Sequence, residues 1–361
     1  MILLNDFKKQ YALIREEIDS AITRVAGSGW YILGKELESF EKEFADYLGV
    51  RYCVGVASGT EGIALSLMAL EIGPGDEVIT PCFTAFPTIT GIMQAGAKPV
   101  LVDVNPADGL IDIHSIRKKI SGKTRAIIPV HLYGQSCDMD PLINLAEPLG
   151  IRVIEDCAQS AGATYRDRKT GTFGICSAFS FYPTKNLGAM GDAGAVITPQ
   201  KDIYEKLLRL RNYGQSVRYY HDRTGINSRM DEIQAAVLRI KLRYLDAWND
   251  RRRQIAGMYT RKLKDLELIR NNDYGIPCYH LFVIKSPVRD QLLSFLQNHG
   301  IQALIHYPVP VNRQKAFPWQ KDEVFSGTGH LASVVLSIPV YPELTDQEAD
   351  NIISTIHDFR P

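Results

Sequence analysis

Between about residues 50 and 200 the sequence alternates short apolar runs with longer segments that carry apolar residues at helical spacing. The clearest runs are Val78–Thr80, Pro99–Asp103, Ala126–Val130 and Arg152–Asp156. Strands that are apolar on both faces are typical of a parallel sheet with helices covering each side. The pattern therefore predicts an α/β fold with a large, mostly parallel sheet.

The pattern changes after Ile197, where a helix, a polar loop over residues 212–225 and a long helix from about Met230 are predicted. From about residue 250 the chain is predicted as a smaller α+β unit: strand 279–284, helix 290–299, strand 302–306 and helix 346–359. We therefore predict two domains. Residues 1–245 form the large α/β domain with an N-terminal helical segment, and residues 246–361 form a small C-terminal α+β domain.

Charge and cysteine content exclude several classes of protein. The 41 Lys and Arg residues balance 41 Asp and Glu residues, so the basic excess typical of nucleic-acid binding is missing. No apolar run approaches the length of about 18 residues that spans a bilayer, and the first residues do not resemble a signal peptide. Six scattered cysteines without a Cys-x-x-Cys pair, and no clustered histidines, predict a cytoplasmic protein without a metal site.

Two segments contain residues that could bind a phosphorylated ring. Ala57–Gly62 reads Ala-Ser-Gly-Thr-Glu-Gly at a helix start, where backbone N–H groups and Gly59 could receive a phosphate. An ordinary N-cap would leave the same pattern. Asp156 ends a predicted strand, at the edge where parallel sheets bind ligands. A buried carboxylate there needs a partner, either a protonated pyridine nitrogen or an arginine.

A third segment, Ser180–Gly194, places Lys185 in a Pro- and Gly-bounded turn between two apolar strands. A desolvated lysine there would lose its proton readily and act as a nucleophile, and Ser180 could bind a phosphate oxygen. The alternative is a lysine beside a β-turn, with its side chain extended into solvent. Together, the three segments match the phosphate, the ring nitrogen and the aldehyde of pyridoxal 5′-phosphate (PLP).

At these residues the chain resembles the DegT/DnrJ/EryC1/StrS family of PLP-dependent nucleotide-sugar aminotransferases. The most specific stretches are Ser180–Gly188 (Ser-Phe-Tyr-Pro-Thr-Lys-Asn-Leu-Gly) and Gly225–Ala236, and the similarity extends from Leu4 to the Tyr-Pro-Val-Pro segment after His306. The resemblance implies the fold-type I aspartate-aminotransferase architecture and a homodimer with shared active sites.

Carried over position by position, the resemblance implies Lys185 as the Schiff-base lysine and proton shuttle. Asp156 would bind the pyridinium nitrogen, and Gln159 would lie against the ring near its 3-hydroxyl. The phosphate would be bound by Ser180 and the backbone of Gly59 and Thr60, with Asn227 reaching it from the partner subunit. Many relatives place a ring-stacking aromatic where this chain has Ala85, and Phe83 and Phe86 are candidates to replace it.

The implied reaction moves an amino group from L-glutamate to a nucleotide-linked ketosugar. Relatives that act on 4-ketosugars often have His where Gln159 stands, so Gln159 favours a dTDP-linked 3-keto-6-deoxyhexose and a 3-amino product for surface polysaccharide, lipopolysaccharide or antibiotic biosynthesis. The candidate substrate contacts combine a polar loop with aromatic and imidazole groups: Tyr31, Tyr182, Arg218, Tyr219, Tyr220, His306 and Tyr307. His131 and His280 are interpreted as core or strand-end residues.

Four other functions compete with this hypothesis. A 4-ketosugar aminotransferase is the nearest alternative. A PLP-dependent sugar dehydratase is disfavoured because such relatives replace the lysine with His, whereas Lys185 is present. A PLP-binding regulatory protein would not need Lys185, Asp156 and Ser180 together, and the sequence lacks a helix-turn-helix extension or basic arm. A purely structural oligomer would leave the carboxylate and the lysine without a purpose.

Overall fold

The computed structural model describes residues 1–360, which contain twelve α-helices and fourteen β-strands. The helices are α1 (Phe7–Ser28), α2 (Lys35–Leu48), α3 (Gly59–Ala69), α4 (Phe86–Gln94), α5 (Ile113–Lys119), α6 (Met139–Ala146), α7 (Lys201–Leu210), α8 (Glu232–Leu242), α9 (Leu245–Lys262), α10 (Arg289–Asn298), α11 (Ser326–Val334) and α12 (Asp346–Asp358). The strands are β1 (Tyr52–Val56), β2 (Glu77–Pro81), β3 (Lys98–Val102), β4 (Thr124–Ile127), β5 (Arg152–Asp156), β6 (Thr164–Tyr165), β7 (Arg168–Lys169), β8 (Cys176–Ser180), β9 (Gly194–Thr198), β10 (Gln215–Val217), β11 (Tyr220–His221), β12 (Glu267–Leu268), β13 (Phe282–Lys285) and β14 (Val335–Ile338).

The large sheet has seven strands in the order β1-β9-β8-β5-β4-β2-β3. Strands β8, β5, β4, β2 and β3 pair in parallel, whereas β9 is antiparallel to both of its neighbours. The predicted mostly parallel α/β sheet is therefore confirmed. Because β1 also runs parallel to β8, the carboxyl ends of six strands lie along one edge of the sheet.

A second sheet is formed near the C-terminus by β12, β13 and β14, which pair antiparallel. Its apolar core contains side chains of α9, α10 and α12, including Tyr259, Leu296 and Ile352. The first residues of the chain also reach this core. Ile2 is buried there, its N–H donates to the Gly300 carbonyl at 2.7 Å and its carbonyl accepts from the Gln302 N–H at 2.9 Å.

Helix α9 contributes to two separate cores. Leu245 packs with Phe40 and Phe44 of α2 beside the large sheet, whereas Ile255 and Tyr259 pack in the core of the second sheet. The predicted division after residue 245 stays a prediction, and α9 begins at that residue.

Two local predictions are wrong. Residues 302–306 do not form a strand: within the described chain Leu304 makes an isolated bridge to Ser337. Pro308 and Pro310, which lie just beyond Tyr307, lack an N–H and cannot extend the pairing. The polar loop over 212–225 contains a short hairpin of β10 and β11. Among residues 1–360, no helix combines the length and the apolar character needed to cross a bilayer.

Candidate active site

The carboxyl edge of the large sheet brings the three predicted segments together. Asp156 is the last residue of β5, Ser180 is the last residue of the adjacent strand β8, and α3 begins at Gly59 just after β1. Lys185 lies in the loop that joins β8 to β9. Since these ends share one edge, side chains far apart in the sequence meet around one cavity.

That cavity has a volume of about 240 Å³. Its lining residues come from α3, the start of α4, the ends of β5 and β8, and the lysine loop: Ser58, Gly59, Thr60, Ile63, Thr84, Ala85, Pro87, Thr88, Val130, Asp156, Ala158, Gln159, Ser180, Tyr182, Lys185 and Asp192. A larger cavity of about 990 Å³ lies beside the end of β3. Two of the lysines that line it, Lys119 and Lys285, are already paired with Glu323 and Glu267.

Asp156 is buried and held by two hydrogen bonds. The Ala158 N–H donates to Oδ1 at 3.0 Å, and the Thr88 hydroxyl donates to Oδ2 at 2.9 Å. Burial raises the pKa of Asp156 above its ordinary value, although these two donors and the charge of Lys185 oppose the rise. No arginine pairs with this carboxylate among the described residues, which leaves it free to accept from a cationic N–H in the cavity.

Lys185 has the properties that the sequence predicted for a nucleophilic amine. Burial lowers its pKa from 10.5 to about 8, while the negative charge of Asp156 acts in the opposite direction. Its backbone N–H donates to the Tyr182 carbonyl at 2.8 Å, which closes the turn. Lys241 also has a pKa lowered to about 8 by burial, but its Nζ donates to the Gly188 carbonyl and it does not line the cavity. The lowered pKa of Lys185 matters because the amine lies in the cavity with Asp156.

Ser180 and the start of α3 line the cavity together. A Cβ added to Gly59 would lie 2.8 Å from the Ser180 Cβ, so only glycine permits this approach. Ser58 caps the helix by accepting from the Glu61 N–H at 3.2 Å. The Ser180 hydroxyl accepts from the Tyr182 N–H at 3.3 Å, which leaves its hydrogen available to an anion. The first N–H groups of a helix have no acceptor within the helix and favour anions.

Gln159 connects the cavity to two tyrosines. Its Oε1 accepts from the Tyr133 N–H at 2.7 Å, and its Nε2 donates to the Tyr307 hydroxyl at 3.0 Å. The Tyr133 hydroxyl in turn donates to the His306 carbonyl. Burial, with a smaller effect of Lys185, lowers the pKa of His306 to about 4, so its imidazole is neutral near pH 7. His306 and Tyr307 therefore lie at the same site as Gln159.

The wall of the cavity near α4 is formed by Ala85 and Pro87, not by an aromatic ring. Phe83 is buried in the core beside the large sheet and contacts Tyr307 edge-on at 6.3 Å between ring centroids. Phe86 packs against the cluster that contains Cys82. Neither phenylalanine lines the cavity, so a flat ring bound there would meet the methyl group of Ala85 on this side.

Several predicted site residues lie outside this cavity in the single chain. Asn227 is exposed, and its backbone bridges to Asn212. Tyr219 and Tyr220 are 77% and 71% exposed at the tip of the hairpin. Arg218 lies beside the Tyr219 ring in the same hairpin, and Tyr31, also exposed, donates its hydroxyl hydrogen to the Ala26 carbonyl at 3.2 Å. Tyr182, in contrast, lines the cavity while half exposed.

Two threonines and one aspartate at the site were not among the residues predicted from the sequence. Thr88 bonds Asp156 directly, and the Thr84 and Thr88 hydroxyls lie 3.1 Å apart. Their spacing of four residues just after β2 was a usable signal, because β2 ends at the same sheet edge. Asp192 lines the cavity from the lysine loop.

One buried group of potential metal ligands has a different explanation. His131, Glu155 and Cys157 place their ligand atoms within 4.8 Å of one another. Glu155 already accepts from His131 Nε2 at 2.9 Å and from the N–H groups of Gly171, Phe173 and Gly174. His131 Nδ1 accepts from the Cys137 N–H. All of these hydrogen bonds are internal, so the cluster is a core network, as interpreted for His131.

The cavity residues fit PLP by their chemistry. A buried carboxylate that makes no ion pair with the described residues suits the pyridinium N–H. The N–H groups at the start of α3, beside Ser180, suit a phosphate. Lys185 supplies an amine that loses its proton near neutral pH. The structure thus accommodates each of the three groups for which the sequence predicted a partner.

Comparison with known proteins extends this result. The family model described as the DegT/DnrJ/EryC1/StrS aminotransferase family matches residues 12–357. The erythromycin biosynthesis sensory transduction protein EryC1 of Saccharopolyspora erythraea is 43% identical over 97% of both chains. A dTDP-3-amino-3,6-dideoxy-alpha-D-galactopyranose transaminase of Aneurinibacillus thermoaerophilus is 42% identical over 99% of both. A UDP-N-acetyl-3-dehydro-alpha-D-glucosamine 3-aminotransferase of Acidithiobacillus ferrooxidans is 42% identical over 97% of this chain and 96% of its own.

Solved structures agree with the fold over nearly the whole chain. DesV of S. venezuelae, solved in complex with ketimine intermediate, superposes with a TM-score of 0.96 at 42% identity, covering 99% of this chain and 97% of its own. The Bacillus subtilis protein ntda, solved with bound cofactor PMP, gives a TM-score of 0.90 at 31% identity, covering 98% and 82%. The predicted aminotransferase architecture is therefore confirmed.

Proposed function

The chain belongs to the DegT/DnrJ/EryC1/StrS aminotransferase family, and we propose that it transfers an amino group from L-glutamate to a dTDP-linked 3-keto-6-deoxyhexose. It is a PLP-dependent sugar aminotransferase. The product would be a 3-amino-3,6-dideoxyhexose for polysaccharide or antibiotic biosynthesis, which agrees with the name of the Aneurinibacillus thermoaerophilus relative.

One observation carries this proposal: a buried lysine with a pKa of about 8 shares a cavity with a buried carboxylate that makes no ion pair with any described arginine. A dehydratase would not need the lysine, and a regulator without turnover would need neither group. The relative from Saccharopolyspora erythraea is named as a sensory protein. The absorption experiment must therefore also distinguish an aminotransferase from a regulator.

When bound, PLP supplies an electron sink for the carbon that carries the amino group. Asp156 would hold the ring N–H in its charged form, since its carboxylate keeps a free acceptor site. Lys185 would attach the cofactor and, once released, carry a proton at Nζ from one carbon to the other. Its pKa of about 8 suits both duties, because both protonation states are populated near neutral pH.

The remaining cavity residues would fix the cofactor's orientation. Ser180 and the backbone N–H groups of Gly59 and Thr60 would bind the phosphate, which the start of α3 attracts. Gln159 would lie against the ring near its 3-hydroxyl. Its two hydrogen bonds, to Tyr133 and Tyr307, keep the amide in place before any ligand binds.

We assign the amination to the 3-position because Gln159 stands where 4-ketosugar enzymes often carry histidine. The relatives from Aneurinibacillus and Acidithiobacillus are both named for amination at the 3-position, although one acts on a dTDP-sugar and the other on a UDP-sugar. The names of these relatives therefore support amination at the 3-position more strongly than they support dTDP as the nucleotide.

We further propose a homodimer whose sites are shared between subunits. The mouth of the cavity carries half-exposed Tyr182, and Tyr219 and Tyr220 are left largely exposed by the single chain. Burial of such aromatic side chains is typical of protein interfaces. Asn227 would reach the partner's phosphate, and the hairpin with Arg218, Tyr219 and Tyr220 would contact the nucleotide diphosphate of the partner's substrate, with Tyr31, His306 and Tyr307 near the sugar. The cytoplasmic location predicted from the sequence stays a prediction.

The near-visible absorption of the purified protein tests the proposal directly. We expect a band of bound PLP that disappears when L-glutamate is added and returns with a dTDP-linked 3-keto-6-deoxyhexose, but not with the 4-keto isomer. The UDP-linked 3-ketosugar serves as the nucleotide control.

Each other outcome has a definite meaning. Recovery only with the 4-ketosugar would reverse the position, and recovery only with the UDP-sugar would reverse the nucleotide. A band that no amino donor changes would contradict transamination and favour a regulator. Lys185→Ala is the matching control: it should fold but show no transamination.

A further inference from the structure

The loop that follows Asp156 and the loop that carries Lys185 are joined by one buried side chain that lies on neither. Asn249, in the second turn of α9, is 1% exposed. Its Nδ2 donates to the Ala161 carbonyl at 3.0 Å, in the loop that follows β5. Its Oδ1 accepts from the Asn186 Nδ2 at 2.8 Å, in the residue next to Lys185. A single amide thus connects the loop of Asp156 and Gln159 to the lysine turn.

The orientation of both amides is determined by their partners. The Ala161 carbonyl can only accept, so the Asn249 amino group must face it and its oxygen must face Asn186. The Asn186 amino group also donates to the Cys278 carbonyl at 2.9 Å, and its oxygen lies 3.2 Å from His280 Nδ1. Burial lowers the pKa of His280 well below its ordinary value, so a neutral ring donates there. Every polar atom of the Asn186 amide is therefore used.

The backbone leaves room for this amide at one glycine. Gly162 has a φ of +85°, and a Cβ added to it would lie 2.3 Å from the Asn249 Nδ2. Any other residue at this position would both strain the backbone and displace the amide. The close approach of α9 to the loop after Asp156 therefore depends on a conformation that favours glycine.

We propose that Asn249 is a positioning residue for the reaction, which holds the Lys185 amine at a fixed distance from Asp156 by linking their two loops. It contacts neither the cofactor cavity nor the reacting atoms, and it acts through Asn186 and Ala161. The inference rests on the proposed roles of Lys185 and Asp156. It adds α9, a helix outside the large sheet, to the parts that determine the geometry of the site.

Two substitutions separate positioning from structural support. Asn249→Leu keeps the size and removes both hydrogen bonds. We expect PLP to bind roughly tenfold or more weakly and kcat to fall roughly 10-fold to 100-fold, with KM for L-glutamate nearly unchanged, because the lysine is misplaced rather than the donor site. Tyr259→Phe is the matched control, since it also removes one buried hydrogen bond of α9, that to the Pro339 carbonyl, without touching the loops.

Asn249→Asp provides a rescue that a merely structural role would not predict. A protonated carboxyl group can donate to Ala161 and accept from Asn186, whereas the carboxylate cannot donate and repels the carbonyl. The titratable and charged groups around this network are Lys185, Cys278 and His280, Arg252 and Arg253 on α9, and Tyr47 beside Gly162 with its partner Asp246. PLP affinity relative to wild type at the same pH should therefore improve as the pH falls from about 9 to about 6.

Affinity for PLP is measured by absorption titration of the apo dimer, and folding by urea denaturation. The inference is overturned if folded Asn249→Leu binds PLP and turns over within about twofold of wild type. It is also overturned if Asn249→Asp shows the same ratio to wild type at every pH, a test that remains available if Asn249→Leu fails to fold. Wild-type protein that fails to bind PLP would overturn the proposed function and this inference with it.

Discussion

At the scale of single residues, Lys185 and Asp156 influence each other's charge across one cavity. Burial lowers the pKa of the amine to about 8, and the carboxylate limits how far it falls. The amine of the folded protein therefore titrates around pH 8, so that between about pH 8 and 10.5 it is mostly neutral, whereas an exposed lysine is still mostly charged. The proposed role of Lys185 as a nucleophile near neutral pH depends on this difference.

We expect the rate at which the apo enzyme captures PLP to rise with pH through about 8, because the neutral amine attacks. In Asp156→Asn the charge that raises the pKa of Lys185 is gone, so the midpoint should move below about 8. Stopped-flow absorption over a pH series measures it. Ser180→Ala is the control, since weaker phosphate binding changes the rate without moving the midpoint. An unchanged or higher midpoint in Asp156→Asn would refute the coupling.

At the scale of elements, the start of α8 holds the start of α2. The Glu232 carboxylate accepts from the N–H groups of Gly34, Glu36 and Leu37, at 2.8, 2.9 and 3.1 Å. These donors belong to the first turn of α2, which lacks a side-chain cap of its own. Since α2 packs Phe40 and Phe44 against the large sheet, the carboxylate anchors an element of the core.

Glu232→Ala should lower the free energy of unfolding by about 1–3 kcal/mol, because three N–H groups at a buried helix start lose their acceptor. Urea denaturation followed by circular dichroism measures the change. Glu38→Ala in α2 is the control, because replacing that exposed side chain should change the free energy of unfolding by less than about 0.5 kcal/mol. Equal effects of the two substitutions would show that the cap contributes nothing.

The sequence predicted the elements whose pattern is local. Apolar runs located β2 to β5, and because parallel strands end at one edge, Asp156, Ser180 and Lys185 could be expected to meet. The strand predicted over 302–306 was wrong because an apolar run does not show how far pairing extends, and here it stops at the single bridge between Leu304 and Ser337. Thr88 and Asn249 were missed for a different reason: each acts through a residue at least 60 positions away, and a lone Thr or Asn has no periodic signal.

At the scale of the whole molecule, the proposed sharing of sites has a quantitative consequence. Each site would combine Lys185 of one subunit with Asn227 of the other. A Lys185→Ala subunit and an Asn227→Asp subunit would each form inactive or weakened dimers alone, since the aspartate repels the phosphate. A mixed dimer would contain one intact site.

Equal amounts of the two variants, denatured and refolded together, should recover about a quarter of the wild-type activity, because about half of the dimers are mixed and each has one good site. Steady-state rates before and after mixing measure the recovery. Mixing Lys185→Ala with Asp156→Asn is the control, since both residues lie in one subunit's cavity and no intact site can form. Equal rates in the two mixtures would contradict shared sites.

The pairing of Ile2 with Ile301 imposes an order on folding during synthesis. The second core contains both Ile2 and residues of α12, so it cannot close until the chain as far as α12 has left the ribosome. At roughly 5–20 residues per second, Ile2 would wait about 15–60 s for its partner. During that time the N-terminal segment is an exposed apolar end, open to chaperones and proteases. A fusion or leader at the N-terminus would therefore affect the yield of folded protein before it affected the enzyme.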